Sequence, residues 1–246
     1  MQVNTFPVTL EEAFMLSPKV KHFIFRAENS PPFDYIPGQF ITIHFEREGK
    51  MLKRSYSIAN VPAKDNRIEF AAGYVAGGPG TELLFNLQPG DKIHINGPFG
   101  RLILKESPKR YVLVATSTGV TPYRAMLQEL ASRLQIDPTL KVVILQGVQT
   151  HEEILYPDEF LAFASEYPQV SFRAHLSREA ENSLQAHEYP GYVQHAFPEL
   201  SLDPENDMVY LCGNPGMIDE SFNYLKEKGF GMQRIIREKY ISAPGK

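Results

Sequence analysis

Cysteine, long apolar runs and concentrated positive charge are all scarce in this 246-residue chain. The single cysteine, Cys212, excludes an intramolecular disulfide and an iron–sulfur cluster held by cysteines alone. No apolar run approaches the ~20 residues that a membrane-spanning helix needs, and the opening MQVNTFPVTLEEAF has no basic segment ahead of an apolar core. No membrane insertion is expected. The net charge is −4 and no Lys/Arg run forms a local basic patch, so a nucleic-acid partner is not expected either. The seven histidines are scattered, without HExxH or a Cys/His ladder, which argues against a metal site. What remains is an ordinary globular composition, 43% hydrophobic and 22% charged. A cytoplasmic soluble protein, long enough for two domains, is the expectation.

Two halves of the chain follow different rules. Up to about residue 104, KVKHFIFRAE, GQFITIHFE, KRSYSIAN, RIEFAAGYV and GDKIHINGPFG are short, rich in Ile, Phe, Tyr and Val, and bounded by Gly, Pro, Asn or Asp. Their spacing predicts an antiparallel barrel or sandwich, interrupted by one helix over 80–87. From Lys109 onward, buried-strand runs alternate with helical patterns: RYVLVAT then TPYRAMLQELASRL, KVVILQGV then YPDEFLAFASEY, QVSFRAHLS, and DMVYLCG then PGMIDESFNYLKEKG. Such alternation predicts a mostly parallel sheet with helices on both faces. The expected division is an antiparallel β-barrel domain at 1–104, a linker at 105–110 and an α/β parallel-sheet domain at 111–246. No long repeat or low-complexity segment is present.

Four stretches carry candidate chemistry. In RSYSIAN, strand alternation puts Arg54, Tyr56 and Ile58 on a different face from Ser55, Ser57 and Ala59. That line of cation, flat ring and hydroxyl reads either as a half-exposed sheet face or as a site for a flavin nucleotide, with its pyrophosphate, ring and ring nitrogen. VLVATSTGVTPYRAML is a strand, a turn of Thr116, Ser117, Thr118 and Gly119, then a helix beginning near Thr121-Pro122. Small residues before a helix N-terminus suit the pyrophosphate of a dinucleotide, or are simply a strand-to-helix turn. YLCGNPGMID repeats the arrangement with Cys212, Gly213 and Asn214 before Pro215. Two such turns at strand carboxyl ends point to the crevice where open α/β sheets bind ligands. In HLSREAENS, Ser177 and Arg178 end a strand, where Arg grips a phosphate monoester or lies in solvent.

In this order the segments resemble the ferredoxin–NADP reductase superfamily over nearly the whole chain. RSYS is similar to its Arg-x-Tyr-Ser motif, which implies Tyr56 stacked on the isoalloxazine of FAD, Ser57 near N5, Arg54 on the pyrophosphate and Ser55 within the same segment. GYVAGGPGT resembles the next flavin segment, with Tyr74 and Val75 touching the flavin, Gly80 at the helix start and Thr81 capping the short helix. TSTGVTP resembles the family's Gly-Thr-Gly-x-Ala/Thr-Pro turn, with Ser117 replacing its first Gly; Thr118, Gly119, Thr121 and Pro122 are the implied nucleotide contacts. LCGNPGMID is similar to Cys-Gly-x-x-x-Met, which implies Cys212, Gly213 and Met217 beside the nicotinamide. LSRE followed by GYVQ resembles the plant-type Ser-Arg-Glu then Tyr-x-Gln, implying Ser177 and Arg178 on a 2′-phosphate and Tyr192 on the adenine. That favours NADP(H) over NAD. REKY resembles the Glu-x-Tyr end, giving Glu238 and Tyr240, with ISAPGK as a departure beyond the tyrosine.

The resemblance implies an enzyme passing electrons between NADPH and a one-electron carrier, ferredoxin or flavodoxin, with hydride moving from nicotinamide C4 to flavin N5. Ser57, Cys212, Glu238 and Tyr240 are its implied catalytic residues, and a monomer is expected. The alternatives are the reductase component of an oxygenase, a free flavin reductase, and a non-catalytic flavin-binding regulatory module.

Overall fold

The computed structural model describes residues 4–28, 33–63, 65–105 and 108–241. One compact unit takes in the chain up to Ile103 together with Thr121–Met126, and the other comprises Leu104–Val120 and Leu127–Ile241.

The first unit is a six-stranded antiparallel sheet. Its strands are β1 (Phe6–Ser17), β2 (Val20–Ala27), β3 (Phe40–Arg47), β4 (Lys50–Ser57), β5 (Arg67–Gly73) and β6 (Lys92–Phe99), with one helix, α1 (Pro79–Asn86), ahead of β6. The order is β4-β3-β6-β1-β2-β5. The two end strands meet through a bridge between Ile58 and Phe70, reinforced by Ala59 N–H donating to the Glu69 carbonyl at 2.7 Å, so the sheet closes into a barrel. Closure removes the open edges that a free sheet would expose.

The sequence pattern gives no strand ahead of Lys19, yet β1 is the longest in the molecule. Its pairing with β2 slips between Leu10 and Glu12 and again between Met15 and Ser17. Each slip resets the period-two alternation that marks a strand in sequence, and Glu-Glu-Ala-Phe-Met-Leu in between has helical composition.

Inward residues from β1, β2, β3, β5 and β6 build the core, including Val8, Leu10, Phe23, Phe25, Ile41, Ile43, Ile68, Phe70 and Ile95, with Tyr56 of β4 packed against it. Phe70 is its hub. The ring lies 5.4 Å from Phe23, 5.5 Å from Phe25 and 4.9 Å from Tyr56, stacked in each case. The core thus reaches through Phe70 to a residue of the RSYS segment.

The second unit holds β7 (Arg110–Thr116), α2 (Thr121–Ile136, counted from Leu127), β8 (Lys141–Val148), α3 (Pro157–Glu166), β9 (Val170–Leu176), β10 (Glu188–Pro190), α4 (Phe197–Leu200), β11 (Asp207–Gly213), α5 (Pro215–Glu227) and β12 (Ile235–Lys239). All six strands run parallel, in the order β10-β9-β8-β7-β11-β12. Val112, Val114, Val143, Leu145, Val209 and Leu211 face α4 and α5. The opposite row, Tyr210, Leu113, Ile144 and Phe172, follows from the register. There Phe160 of α3 stacks on Phe172 at 5.2 Å, and the guanidinium of Arg133 in α2 lies over Tyr111. Helices on both faces bury both faces of the strands, hence the unbroken apolar runs.

The linker expectation needs one correction. Arg110 opens β7, with Nε donating to the buried Asp207 carboxylate at 2.9 Å. A buried carboxylate needs such a partner. Lys105 is pinned as well: its N–H donates to Tyr210 Oη at 2.8 Å and its carbonyl accepts from Arg133 Nη1 at 2.8 Å. Glu106 and Ser107 lie outside the described residues.

Phe70→Ala is expected to lower stability by about 3–5 kcal/mol, as removal of a fully packed aromatic does. Urea denaturation monitored by tyrosine fluorescence measures it, and a loss well below ~1 kcal/mol would remove Phe70 from the centre of this core.

Candidate active site

In the first unit, alternation along β4 leaves Lys53 and Ser55 exposed and turns Arg54 and Tyr56 to the half-buried face. Ser55 is taken the other way. Its hydroxyl hydrogen-bonds Thr42 Oγ1 across the sheet at 2.9 Å, so its side chain is not part of the Arg54–Tyr56 group. Ser57 closes the strand in a buried position.

The start of α1 sits against that face. A Cβ added to Gly80 would stand 2.7 Å from Arg54 Cγ and 3.3 Å from Tyr56 Oη. Only a glycine lets the helix N-terminus come this close to the cation and the phenol. Burial raises the Tyr56 hydroxyl to about 12, with Arg54 pulling it partly back, so the phenol stays neutral at physiological pH. Thr81 does not cap the helix: Gly78 holds the N-cap position and no side chain caps there. Instead the Thr81 hydroxyl accepts from Val75 N–H at 3.1 Å and reaches the carbonyls of Val75 and Gly78, fixing the turn that leads into α1. The positive end of the helix dipole and the guanidinium are therefore both available to an anion. Glu82, in the first turn, is neutralised by Arg47 at 2.7 Å. Tyr74 is exposed and packs edge-on against Phe85 at 5.3 Å, and Val75 is half-buried.

In the second unit the strand order sets the place of the site. From β7 the chain moves outward through β8, β9 and β10, then returns to the other side of β7 for β11 and β12. The reversal lies between β7 and β11, and their carboxyl ends carry the two small-residue turns. The turns touch. A Cβ on Gly119 would stand 2.3 Å from the Cys212 carbonyl oxygen, and Gly213, at φ +121°, has Thr116 Oγ1 in the space of its missing side chain. Thr116 Oγ1 accepts from Asn214 N–H at 2.8 Å, and the Asn214 side chain caps α5 by accepting from Gly216 N–H at 2.8 Å.

Ser117, where a glycine was the resembling motif's choice, is exposed and takes φ +47° at the start of a 3-10 turn, Ser117–Val120, whose Gly119 and Val120 are buried. The backbone follows the left-handed course that glycine would follow. Thr118 is half-buried, and Thr121 and Pro122 open α2 in buried positions. Met217 is drawn into the core between α5 and the sheet, so its side chain packs there.

Register brings three further candidates together. Cys212 pairs with Glu238 across β11 and β12, and Tyr240, two residues on, shares the Glu238 side; its N–H donates to the Gly213 carbonyl at 2.8 Å. At the end of β9, Ser177 N–H donates to the Val148 carbonyl at 3.1 Å and Arg178 N–H to the Gln149 carbonyl at 2.9 Å. Gly191 N–H donates to the Leu176 carbonyl at 2.9 Å, which sets Tyr192 beside that strand end with its ring 60% exposed. Arg178 is exposed and, among the described residues, has no ion pair.

Known proteins share these features. Residues 7–103 match the oxidoreductase FAD-binding domain and residues 113–221 the oxidoreductase NAD-binding domain. Ferredoxin–NADP reductase B of Sorangium cellulosum is 33% identical over 227 residues, 89% of this chain and 90% of that protein. The chain belongs to the ferredoxin–NADP reductase superfamily. The toluate 1,2-dioxygenase electron transfer component of Pseudomonas putida is 26% identical over 85% of this chain, which spans 60% of that protein. A ferredoxin NADP+ reductase from Neisseria gonorrhoeae, solved with bound FAD and NADP, shares the fold at a TM-score of 0.84 and 22% identity, over 97% of this chain and 99% of that one. This superfamily member is a flavin-dependent oxidoreductase that uses FAD and a nicotinamide dinucleotide. Among the described residues no helix is long and apolar enough to cross a membrane, and no three or more metal-ligating side chains gather.

For such an enzyme the state of Cys212 matters. It is completely buried, and burial, followed by the Glu238 charge, pushes its thiol well above the ordinary range; a hydrogen bond with the Tyr240 hydroxyl opposes them. Cys212 is thus a neutral thiol. Mass spectrometry after iodoacetamide at pH 8 should find it unmodified in the folded protein and alkylated in urea. Rapid labelling of the native protein would contradict this. Ser117→Gly should keep or raise stability, whereas Ser117→Val should lower it by about 1–2 kcal/mol, because a β-branched residue resists the left-handed region; thermal unfolding distinguishes them.

Proposed function

We propose that this enzyme is an NADPH-dependent reductase of ferredoxin or flavodoxin, working as a cytoplasmic monomer. The carrying observation is Arg178, an exposed guanidinium at the carboxyl end of β9 next to the Ser177 hydroxyl, with no ion pair among the described residues. A planar fork with an adjacent hydroxyl matches a phosphate monoester, the group that distinguishes NADPH from NADH.

The residues of the first unit fit FAD. Arg54 and the uncapped start of α1 suit its pyrophosphate, the missing Cβ of Gly80 leaves room there, and Tyr56, backed by Phe70, offers a rigid ring for stacking. FMN would offer this cation and helix start one terminal phosphate in place of a pyrophosphate. Bound FAD supplies the exchange between two-electron and one-electron chemistry that NADPH and a single-electron carrier require. The protein's contribution is position and electrostatics. Cys212, as a neutral thiol, offers an uncharged surface to the nicotinamide, with Glu238 opposite it on β12 and Tyr240 two residues on, and in the first unit Ser57 serves the flavin N5 edge. The division into a FAD-binding barrel at 1–104 and an NADP-binding domain at 111–246 belongs to the same reading.

The 26% identical dioxygenase component supports a second reading, in which the acceptor is an oxygenase or its ferredoxin. Anaerobic NADPH titration with added ferredoxin, flavodoxin or free flavin separates the two by the acceptor reduced fastest.

Two substitutions test the reading. Arg178→Ala should lower kcat/KM for NADPH relative to NADH by about ten- to a hundredfold, the loss of a charge-assisted contact. An unchanged ratio would remove Arg178 from the 2′-phosphate. Gly80→Ala should displace Arg54 and weaken FAD by about tenfold or more, a shift of ~1.4 kcal/mol. Fluorescence of released flavin measures it, and full FAD retention would contradict the cradle.

A further inference from the structure

Arg178 has an acidic neighbour in Glu179, yet the two do not pair. The reason lies in the turn after β8. His151 N–H donates to Glu179 Oε1 at 3.1 Å, and His151 Nε2 stands 3.7 Å from Glu179 Oε2. The other ring nitrogen, Nδ1, contacts the Glu188 carboxylate at 2.8 Å. Glu188 opens β10 and its side chain is 1% exposed; its other neighbours are Gln185 N–H, donating at 2.8 Å, and His187 Nε2 at 3.8 Å. On the His151 side, Glu153 accepts from Gln149 N–H at 3.1 Å and is turned to its own loop. His151 therefore meets both carboxylates, its ring hydrogen-bonded to Glu188 and within ion-pair distance of Glu179 Oε2, while its backbone N–H holds Glu179 Oε1 and ties the turn after β8 to the segment that carries Arg178.

We propose that His151 is a positioning residue for nucleotide choice: its protonated ring holds the Glu179 carboxylate away from Arg178, leaving the guanidinium for the 2′-phosphate. This rests on the assignment of Arg178 to that phosphate. A doubly protonated imidazole donates from both nitrogens, whereas the neutral ring has one N–H and turns a lone pair towards one of the two carboxylates. Hydrogen bonding to Glu188 raises His151 above its ordinary value, and the charges of Glu188 and Glu179 add to this. With a raised value, the ring's attraction for both carboxylates is complete at low pH and is lost as pH rises through the folded-state value. Glu179 Oε1 then keeps the His151 backbone N–H, while Oε2, no longer attracted by the ring, can turn to Arg178. His187, Glu153 and Arg178 are further charged or titratable groups near the His151 ring.

The experiment compares kcat/KM for NADPH with that for NADH in the FAD-loaded enzyme between pH 7 and 9, where a 2′-phosphate with its second pKa near ~6 is already a dianion. In the unaltered protein the NADPH:NADH ratio should fall with rising pH. His151→Gln, which keeps a donor for Glu188, should lower the ratio at pH 7 by about three- to tenfold. The pH dependence should already be flat in His151→Gln, and adding Glu179→Gln to it should restore the ratio, a rescue that a merely structural role of His151 would not produce. Failure of the rescue, or an unchanged ratio in His151→Gln, overturns the proposal while leaving Arg178 its phosphate. An unchanged ratio in Arg178→Ala overturns both, so the two failures are told apart.

Discussion

The contact between the turns after β7 and β11 is the constraint on which the rest of the second unit depends. Parallel strands that reverse their order at this point leave their carboxyl ends side by side, and the two connections must leave without colliding. Gly119 against the Cys212 carbonyl, and Gly213 at φ +121° against Thr116, are how this chain meets the requirement. A side chain at either position would push the turns apart, and with them the start of α5, because Thr116 Oγ1 holds Asn214 N–H and Asn214 caps that helix. The same crowding fixes Cys212 at the end of β11, and through the register it fixes Glu238 and Tyr240 opposite. A completely buried thiol whose register partner is a carboxylate is held in its neutral form. Its chemistry is thus a consequence of strand order.

The first unit solves a different problem with aromatic packing. A closed barrel leaves little interior volume, and Phe23, Phe25 and Phe70 fill it as a stack. Because Tyr56 continues the stack, the ring proposed to stack on the flavin is held from behind by the core, with little rotamer freedom left to lose. A tyrosine positioned by packing does not have to be ordered by its ligand. Arg54 is fixed in a comparable way by the close approach of α1 at Gly80.

Charge is arranged so that the two cations proposed for ligands, Arg54 and Arg178, are not consumed by the protein's own carboxylates. Glu82, in the first turn of α1, is paired with Arg47, and Glu179 is engaged by His151. Arg54 and Arg178 are left facing outward. In a chain of net charge −4 this separation is not automatic. It follows from where each carboxylate finds a closer donor, and partly exposed pairs suffice because their role is direction more than stability.

Much of this was legible in the sequence. The change from short punctuated strands to alternating strands and helices gave two fold types, since periodicity records burial directly. Arg54, Tyr56, Gly119, Cys212, Ser177 and Arg178 stood out as candidates because motif spacing places residue types on adjacent turns or on one strand face. Other features left no local trace. The bulges of β1 broke its alternation, Arg110 read as linker because its buried partner Asp207 lies 97 residues away, and Thr81 read as a cap although its hydroxyl turns back to Val75. The engagement of His151 with Glu179 and Glu188 spans 28 and 37 residues across neighbouring strand ends. The sequence by itself determined which faces are buried and which short turns must be glycine-rich, because those are properties of neighbouring residues. Only the tertiary structure decided which charge each carboxylate meets and whether the lone thiol ionises, because these depend on desolvation and on partners that the chain brings together only when it folds.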